Sequence, residues 1–178
     1  KHVDPVGTIL IPGLLLLLQT GFIFGYAKPV PVTWQNLRNP KRDMALVAVA
    51  GPASNLLMAI IWALLIRVGL LLGDQGLALI YMGIAGISIN TILMVLNLLP
   101  LPPLDGGRVL TGLLPGPWAY RLSRIEPYGF FILIALLVTG LLGLILWPLI
   151  SLVMTLLVPV SGLPAQQFQL LLLALMGR

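Results

Sequence analysis

The sequence predicts an all-α protein, a polytopic integral membrane helical bundle. Of its 178 residues, 59% are hydrophobic and only 8% are charged, and the mean hydropathy is +1.07. A soluble domain of this length could not hide so much apolar surface. Four uncharged stretches also exceed the roughly 20 residues that a helix needs to cross a bilayer. A β-barrel would instead require short alternating strands, which the sequence does not show.

The uncharged stretches define the expected helices in chain order. They cover residues 5–27, 44–66, 75–104 and 127–177. Within them we expect helices over 7–27, 44–66, 75–104 and 127–158. The second and third helices have charged residues at both ends, so we expect them to form the paired core. The last stretch is long enough for a kinked span and a returning or interfacial helix, with breaks expected at Pro148, Pro159, Gly162 and Pro164.

Basic residues cluster in two connections, which predicts the orientation of the bundle. They are Lys28, Arg38, Lys41 and Arg42 before the second helix, and Arg108, Arg121 and Arg124 after the third. Cytoplasmic connections of membrane proteins carry an excess of Lys and Arg. We therefore expect 28–43 and 105–126 to be cytoplasmic loops of a multi-pass protein in the cell (inner) membrane. The net charge is +5, but the basic residues form no continuous stripe, which argues against nucleic acid as a partner.

The chain has no cysteine, which excludes disulfides, thiolate metal sites and cysteine-protease chemistry within it. We interpret residues 1–178 as a single membrane-embedded domain, because the sequence contains no internal repeat and no long hydrophilic segment. The chain begins at Lys1 without a methionine and without a recognisable signal peptide. We therefore expect it to be truncated at the N-terminus.

A carboxylate stands in an unusual place at the end of the third uncharged stretch. Asp105 follows the run NLLPLPPL, residues 97–104, and precedes two glycines. Asp-Gly is a common turn dipeptide and prolines end helices, so one interpretation is a structural turn. The other interpretation is functional, because an ionisable group at membrane depth costs about 2.5–3.5 kcal/mol and usually marks a site. The residues alone leave both interpretations open.

Amides on the two central helices support the functional interpretation. Asn90 and Asn97 are seven residues apart and share one face of a helix. Gly51 and Asn55, in the stretch AGPASNLLMA, are four apart and also share a face. Such residues also pack membrane helices, the glycine by close approach and the amides by interhelical hydrogen bonds of roughly 1 kcal/mol. For Asn90 we favour packing, whereas Asn55 is a candidate donor to a buried peptide or to the neighbourhood of Asp105.

The run from Asn97 to Gly107, NLLPLPPLDGG, closely resembles the N-x-x-P-x-P-x-x-D-G signature of the site-2 protease family of intramembrane zinc metalloproteases. Gly51 and Asn55 are likewise similar to the G-x-x-x-N element of that family, which lies on the helix between its two metal-binding helices. The two motifs follow the order of the family, each on its own predicted helix. The resemblance extends from Lys1 to about Trp147 and is greatest to the compact bacterial branch.

The resemblance implies a zinc peptidase site. In the family, two histidines of an H-E-x-x-H helix and the aspartate of the D-G motif hold one Zn²⁺, and the glutamate is the general base for a metal-bound water. On this basis Asp105 is the expected metal ligand. Gly51, Asn55 and Asn97 are the expected substrate-binding residues, because an unwound transmembrane peptide needs partners for its backbone. The implied partners are the lipid bilayer and transmembrane protein substrates.

The chain departs from the family in lacking H-E-x-x-H. Its single histidine, His2, matches a position after the zinc-binding helix and is interpreted as a boundary residue. We therefore expect no catalytic residue within this chain and an upstream segment that supplies the histidines and the general base. The chain alone is accordingly expected to be inactive. Glu126, the only glutamate, precedes Pro127 and is interpreted as a helix-start charge.

Two functions from different classes follow. The first is an intramembrane zinc metalloendopeptidase that cleaves transmembrane segments of membrane proteins, with this chain supplying the aspartate ligand and the substrate-binding helices. The alternative is a noncatalytic membrane scaffold or transporter-like protein, in which Asp105 and the asparagines form a polar network. The extended stretch KPVPV, with Pro29 and Pro31, is either an ordinary connection or a strand that pairs with unwound substrate.

Overall fold

The computed structural model describes residues 5–17 and 39–177, and most of these residues are helical. No β-strand occurs among them, which confirms the predicted all-α class. The chain divides into two compact units, residues 1–38 and 39–178.

The first unit contributes one described helical segment. A π-helical turn at Pro5–Leu10 leads into helix α1, Ile11–Leu17. This segment includes the first half of the helix predicted over 7–27. The remainder of that helix lies outside the described residues, as do His2 and the KPVPV stretch.

In its described residues, the second unit contains seven α-helices and one 3₁₀ turn, Gly73–Gly76, between the first two of them. The α-helices are α2 (Pro40–Leu71), α3 (Leu77–Asn97), α4 (Asp105–Leu113), α5 (Gly116–Ser123), α6 (Glu126–Val138), α7 (Leu141–Ser161) and α8 (Ala165–Leu175).

Three helical stretches of the described chain are long and apolar enough to cross a membrane: Arg42–Leu71, Gly73–Asn97 and Leu141–Ser161. They correspond to α2, α3 with its preceding turn, and α7. Helices α6 and α8 are also apolar but have only 13 and 11 residues. At a rise of about 1.5 Å per residue, α6 is roughly 20 Å long, short of the ~30 Å hydrocarbon core. The predicted helical membrane bundle is therefore confirmed.

Helix α3 lies at the centre of the second unit. It packs against α2, α7 and α8, so the predicted pairing of the two central helices is confirmed. One core cluster joins the first half of α3 to the neighbouring helices: Ala59, Ala63, Ile66, Ile80, Ile84, Ile87, Leu157, Val158, Leu163 and Phe168. A second cluster surrounds its last turns: Met94, Val95, Leu99, Leu142 and Leu146. The end of α3, where the predicted site begins, is thus held by the start of α7.

Helices α2 and α3 approach each other closely at two glycines of α3. A Cβ atom at Gly83 would overlap the side chain of Ile66, and one at Gly86 would overlap the ring of Trp62. The two helices therefore run antiparallel, since the later residue of α2 faces the earlier residue of α3. Small residues permit such close approach between membrane helices, and van der Waals contact then stabilises the pair.

The prediction of a helix over 75–104 is wrong at its C-terminal end. Helix α3 ends at Asn97, and residues 98–104 are not helical. Pro100, Pro102 and Pro103 cause this break, because proline lacks the N–H that continues a helix and its ring clashes with the preceding turn.

The 105–126 segment, predicted as a loop, instead contains α4 and α5. Both helices are short and amphipathic, so they carry exposed arginines that interrupt the apolar pattern. A search for uncharged stretches long enough to cross a membrane therefore misses short amphipathic helices such as these.

The predicted helix over 127–158 consists of two helices. Helix α6 ends at Val138 and α7 begins at Leu141, after Gly140 with φ of +76°. That backbone conformation is easily adopted only by glycine, so the chain turns there. The expected breaks at Pro148 and Pro159 are wrong, because both residues lie inside α7. Membrane helices tolerate proline where neighbouring groups satisfy the freed carbonyl. The last two expected breaks are confirmed: Gly162 ends α7 and Pro164 precedes α8.

We expect Gly86→Ala to lower the free energy of unfolding by about 1–3 kcal/mol, because the added methyl group overlaps the Trp62 ring. Unfolding of the purified chain in mixed micelles, titrated with dodecyl sulfate and followed by circular dichroism, measures this change. Gly143→Ala in α7 is the matched control, since a Cβ there meets nothing within 4 Å. Equal losses of stability in the two variants would contradict the close α2–α3 contact.

Candidate functional site

The segment between α3 and α4 satisfies its backbone N–H groups without forming a helix. Three of its seven residues are prolines, which have no N–H to satisfy. The remaining four N–H groups each donate to a backbone carbonyl at 2.8–3.1 Å; they belong to Leu98, Leu99, Leu101 and Leu104. The peptide bond between Pro102 and Pro103 is cis. An unpaired N–H beside hydrocarbon costs several kcal/mol. The proline pattern therefore lets the chain leave the helix with every N–H of this segment paired.

Two glycines then bring the start of α4 against this segment. A Cβ atom at either Gly106 or Gly107 would overlap backbone atoms of residues 98–102. Backbone atoms cannot rotate aside as a flexible side chain can, so both positions require glycine. The glycine pair consequently fixes Asp105, the first residue of α4, relative to the end of α3. The sequence indicated a turn at these glycines but not the close approach, which depends on where the chain returns.

The Asp105 carboxylate lies against α2 at Gly51. An ideal Cβ atom at position 51 would overlap Oδ2 of Asp105 and would lie 3.4 Å from its Cγ. Helix α4 as a whole packs against α2. Gly51 is seven residues beyond Met44, where the uncharged run of α2 begins, a rise of roughly 10 Å. The carboxylate therefore lies beside the apolar part of α2 and not at its charged end, and the two predicted motifs meet.

The three asparagines considered in the sequence analysis, Asn55, Asn90 and Asn97, have different surroundings. Asn97 is the last residue of α3, and the antiparallel pairing of α2 with α3, extended to its end, places it at the level of Gly51. Asn55 lies one turn further along α2, and both amides are half-buried. Asn90 is 6% exposed, and its Nδ2 donates to the carbonyl of Gly86 at 2.8 Å. Its amide nitrogen thus donates within its own helix, and not to a neighbouring helix as expected. The carbonyl one turn earlier is the nearest acceptor and competes with acceptors on other helices.

The electrostatic surroundings of Asp105 are weakly compensated. Burial raises the pKa of the Asp105 carboxyl above its ordinary value, and the positive charge of Arg108 offsets part of that rise. Arg108 also pairs with Glu126, with 3.9 Å between Nη2 and Oε1, and both side chains are half-exposed. Such exposed pairs contribute at most about 1 kcal/mol. This ion pair was not evident in the sequence, because its partners lie on different helices.

The described residues supply one candidate metal ligand, Asp105, and not a complete set. No group of three His, Cys, Asp or Glu side chains comes together in the part of the chain that the structure describes. A desolvated carboxylate is nevertheless a donor that Zn²⁺ accepts. Its raised pKa would fall on binding a cation, because metal binding displaces the proton. Asp105 therefore fits one position of a zinc site but cannot form that site alone.

The contact between positions 51 and 105 can be tested with engineered cysteines, since the chain has none of its own. We expect Gly51→Cys combined with Asp105→Cys to form a disulfide on mild oxidation in membranes, because the two side chains lie within disulfide reach. Mass spectrometry of peptides and loss of thiol labelling measure the bond. Asp74→Cys with Asp105→Cys is the control, as the exposed Asp74 lies in the turn after the far end of α2, roughly 30 Å away. Equal cross-linking of both pairs would refute the placement.

Comparison with known proteins identifies the family of this chain. A family model described as Peptidase family M50 matches residues 72–140, a range that includes Asn97 and Asp105. The chain is 38% identical to "Putative zinc metalloprotease YwhC" of Bacillus subtilis over 156 residues, which are 85% of this chain and 68% of that protein. It is 31% identical to "Putative zinc metalloprotease Rip2" of Mycolicibacterium smegmatis over 144 residues, 80% of this chain and 53% of the relative.

A third relative is "Putative zinc metalloprotease MJ0611" of Methanocaldococcus jannaschii, 34% identical over 101 residues, 57% of this chain and 50% of the relative. The chain thus spans about two thirds of the length of the first relative and about half of the other two. No solved structure matches the chain. The extended match to the first relative, together with the matching family model, shows that this chain belongs to the site-2 protease family, peptidase family M50.

Proposed function

We propose that the protein containing this chain is an intramembrane zinc metalloendopeptidase that cleaves transmembrane segments of membrane proteins. It acts as a multi-pass protein of the cell (inner) membrane. The observation that carries the proposal is the Asp105 carboxylate packed on Gly51, beside the apolar run of α2. A carboxylate in such a place is costly, and intramembrane acids of this kind mark functional sites. The names of the relatives, zinc metalloproteases, point to the same class.

In this proposal Asp105 is one of three protein ligands of Zn²⁺. The other two are histidines of an H-E-x-x-H helix that this chain does not contain, and the glutamate of that helix is the general base. Three protein ligands leave the fourth position open to water. When bound, the zinc lowers the pKa of that water and polarises the scissile carbonyl. The role of this chain is to hold the Asp105 carboxylate in place. The close contacts of Gly106 and Gly107 with the backbone of residues 98–102 serve this role.

Asn55 and Asn97 are proposed to bind the substrate backbone. A transmembrane peptide must unwind where it is cut, and hydrocarbon cannot satisfy the N–H and C=O groups that it exposes. The two half-buried amides can each donate and accept a hydrogen bond, and they lie at or within one turn of the level of Gly51. Gly51 lies against the carboxylate, so we propose that it positions Asp105 and leaves the binding of substrate to the amides.

Replacement of Asp105 tests the ligand role. In the protein that carries this chain together with an H-E-x-x-H helix, we expect Asp105→Ala and Asp105→Asn to lose bound zinc. Cleavage of a membrane-embedded substrate should fall at least about a hundredfold, since even changes outside the ligand set cost 10–100-fold. Asp74→Asn is the control, because Asp74 is exposed in the turn between α2 and α3. Unchanged zinc content and cleavage in the Asp105 variants would favour the noncatalytic scaffold or transporter.

Replacement of the amides separates substrate binding from metal binding. We expect Asn55→Ala and Asn97→Ala each to lower kcat/KM by about tenfold or more, because the unwound substrate loses a hydrogen-bond partner in a dry site. Zinc content should stay unchanged. Ser54→Ala is the control on the same helix, since the Ser54 hydroxyl donates to the carbonyl of Ala50. Loss of zinc, or normal kcat/KM in both variants, would count against the substrate role.

A further inference from the structure

Helix α5 presents basic and aromatic side chains on a surface that the other helices leave open. This surface, hereafter the α5 surface, consists of Trp118, Tyr120 and Arg121 of α5 and of Arg124, which directly follows the helix, all of them exposed. Trp118 is 59% exposed and Tyr120 is 66% exposed. The opposite side of the helix contains the buried Ala119, and α5 packs on α4. Aromatic side chains clustered with this exposure indicate a surface that meets a partner.

The two arginines of the α5 surface carry uncompensated charge. In the described part of the chain, Arg108 pairs with Glu126, whereas neither Arg121 nor Arg124 lies within ion-pair distance of a carboxylate. Arg121 lies over the Trp118 ring, with 5.2 Å between its Cζ and the ring centroid. A cation–π contact of this kind orients the guanidinium without neutralising it. The α5 surface is therefore complementary to anionic groups.

The place of α5 in the chain brings this surface to a membrane boundary. Helix α5 follows the candidate span that contains α3, with residues 98–115, which include α4, between them, and two residues separate it from the apolar α6. Exposed apolar side chains flank it on both sides, with Leu113 at 74% and Tyr128 at 65% exposure. Tryptophan and tyrosine concentrate at the headgroup level of membranes, and arginine accompanies them on the side of anionic lipid.

We propose that the α5 surface binds the phosphate groups of anionic phospholipids. Arg121 and Arg124 bind the phosphates, because the planar guanidinium matches phosphate oxygens in geometry and charge. Trp118 and Tyr120 lie in the interfacial layer beside them. Since α5 packs on α4 and α4 begins at Asp105, a lipid bound there also holds the helix that carries the carboxylate. The proposal requires neither zinc nor cleavage, so it stands apart from the function proposed above.

Fluorescence quenching by brominated lipids tests the proposal. The purified chain is reconstituted in vesicles of phosphatidylcholine and phosphatidylglycerol in equal parts, with bromine on the acyl chains of one lipid at a time. Subtracting the signal of a Trp118→Phe protein isolates the quenching of Trp118. We expect phosphatidylglycerol to be preferred by roughly fivefold for each arginine at low salt, and less at high salt.

Two sets of variants decide the outcome. Arg121→Gln with Arg124→Gln should reduce the preference roughly tenfold or more, whereas Arg121→Lys with Arg124→Lys should retain only part of it, because lysine keeps the charge but not the planar geometry. Arg67→Gln changes an exposed arginine of α2, outside the α5 surface, and should leave the lipid preference unaltered. The proposal is overturned by equal quenching from the two lipids, by a preference that survives the glutamine pair, or by a Trp118 signal that only water-soluble acrylamide quenches. Circular dichroism of each variant verifies that the helices are intact.

Discussion

The contact between the Asp105 carboxylate and Gly51 is the constraint around which the polar part of this apolar bundle is arranged. Burial at this site raises the pKa of the Asp105 carboxyl and so disfavours its ionised form. The missing side chain at position 51 removes the steric barrier to placing the carboxylate beside α2. Without that space, α4 could not begin where it does, and the motifs on α2 and after α3 would stay apart.

Close packing of backbones also explains how residues 98–104 can be non-helical next to an apolar membrane helix. Irregular backbone at membrane depth is tolerated only where protein surrounds it. Residues 98–104 meet this condition in part: Leu99 and Pro102 are buried, the glycines at the start of α4 lie against one part of the segment, and Gly129 of α6 lies against the carbonyl of Pro102. Prolines remove three N–H groups, and the other four are paired. The motif is thus a way of ending a membrane helix while holding an acid at its end.

The short helices that follow this segment differ from the candidate spans in carrying exposed charged side chains. Helices α4 and α5 have exposed arginines and aromatic residues, whereas α3 is the most buried of the three candidate spans. Helix α6 is too short to cross a bilayer and turns at Gly140 into α7, whose first turns pack on the end of α3. Apolar packing at the end of α3 therefore supports the candidate site, and exposed arginines of and next to α4 and α5 border it.

The sequence by itself determined the class of this protein and the residue types at its site. Apolar composition excludes a soluble fold whatever the packing, because a chain of this length has too little interior. The spacing of N-x-x-P-x-P-x-x-D-G and G-x-x-x-N is a local pattern, so it can be recognised in the order of the residues alone. Tertiary structure decided the rest. Which glycine faces Asp105 depends on the antiparallel register of α2 and α3. That register is fixed where the side chains of Ile66 and Trp62 pack on Gly83 and Gly86. Likewise, Gly140 interrupts the predicted last helix while Pro148 does not, because surrounding helices can satisfy a freed carbonyl, whereas a backbone φ above zero ends the helical path itself.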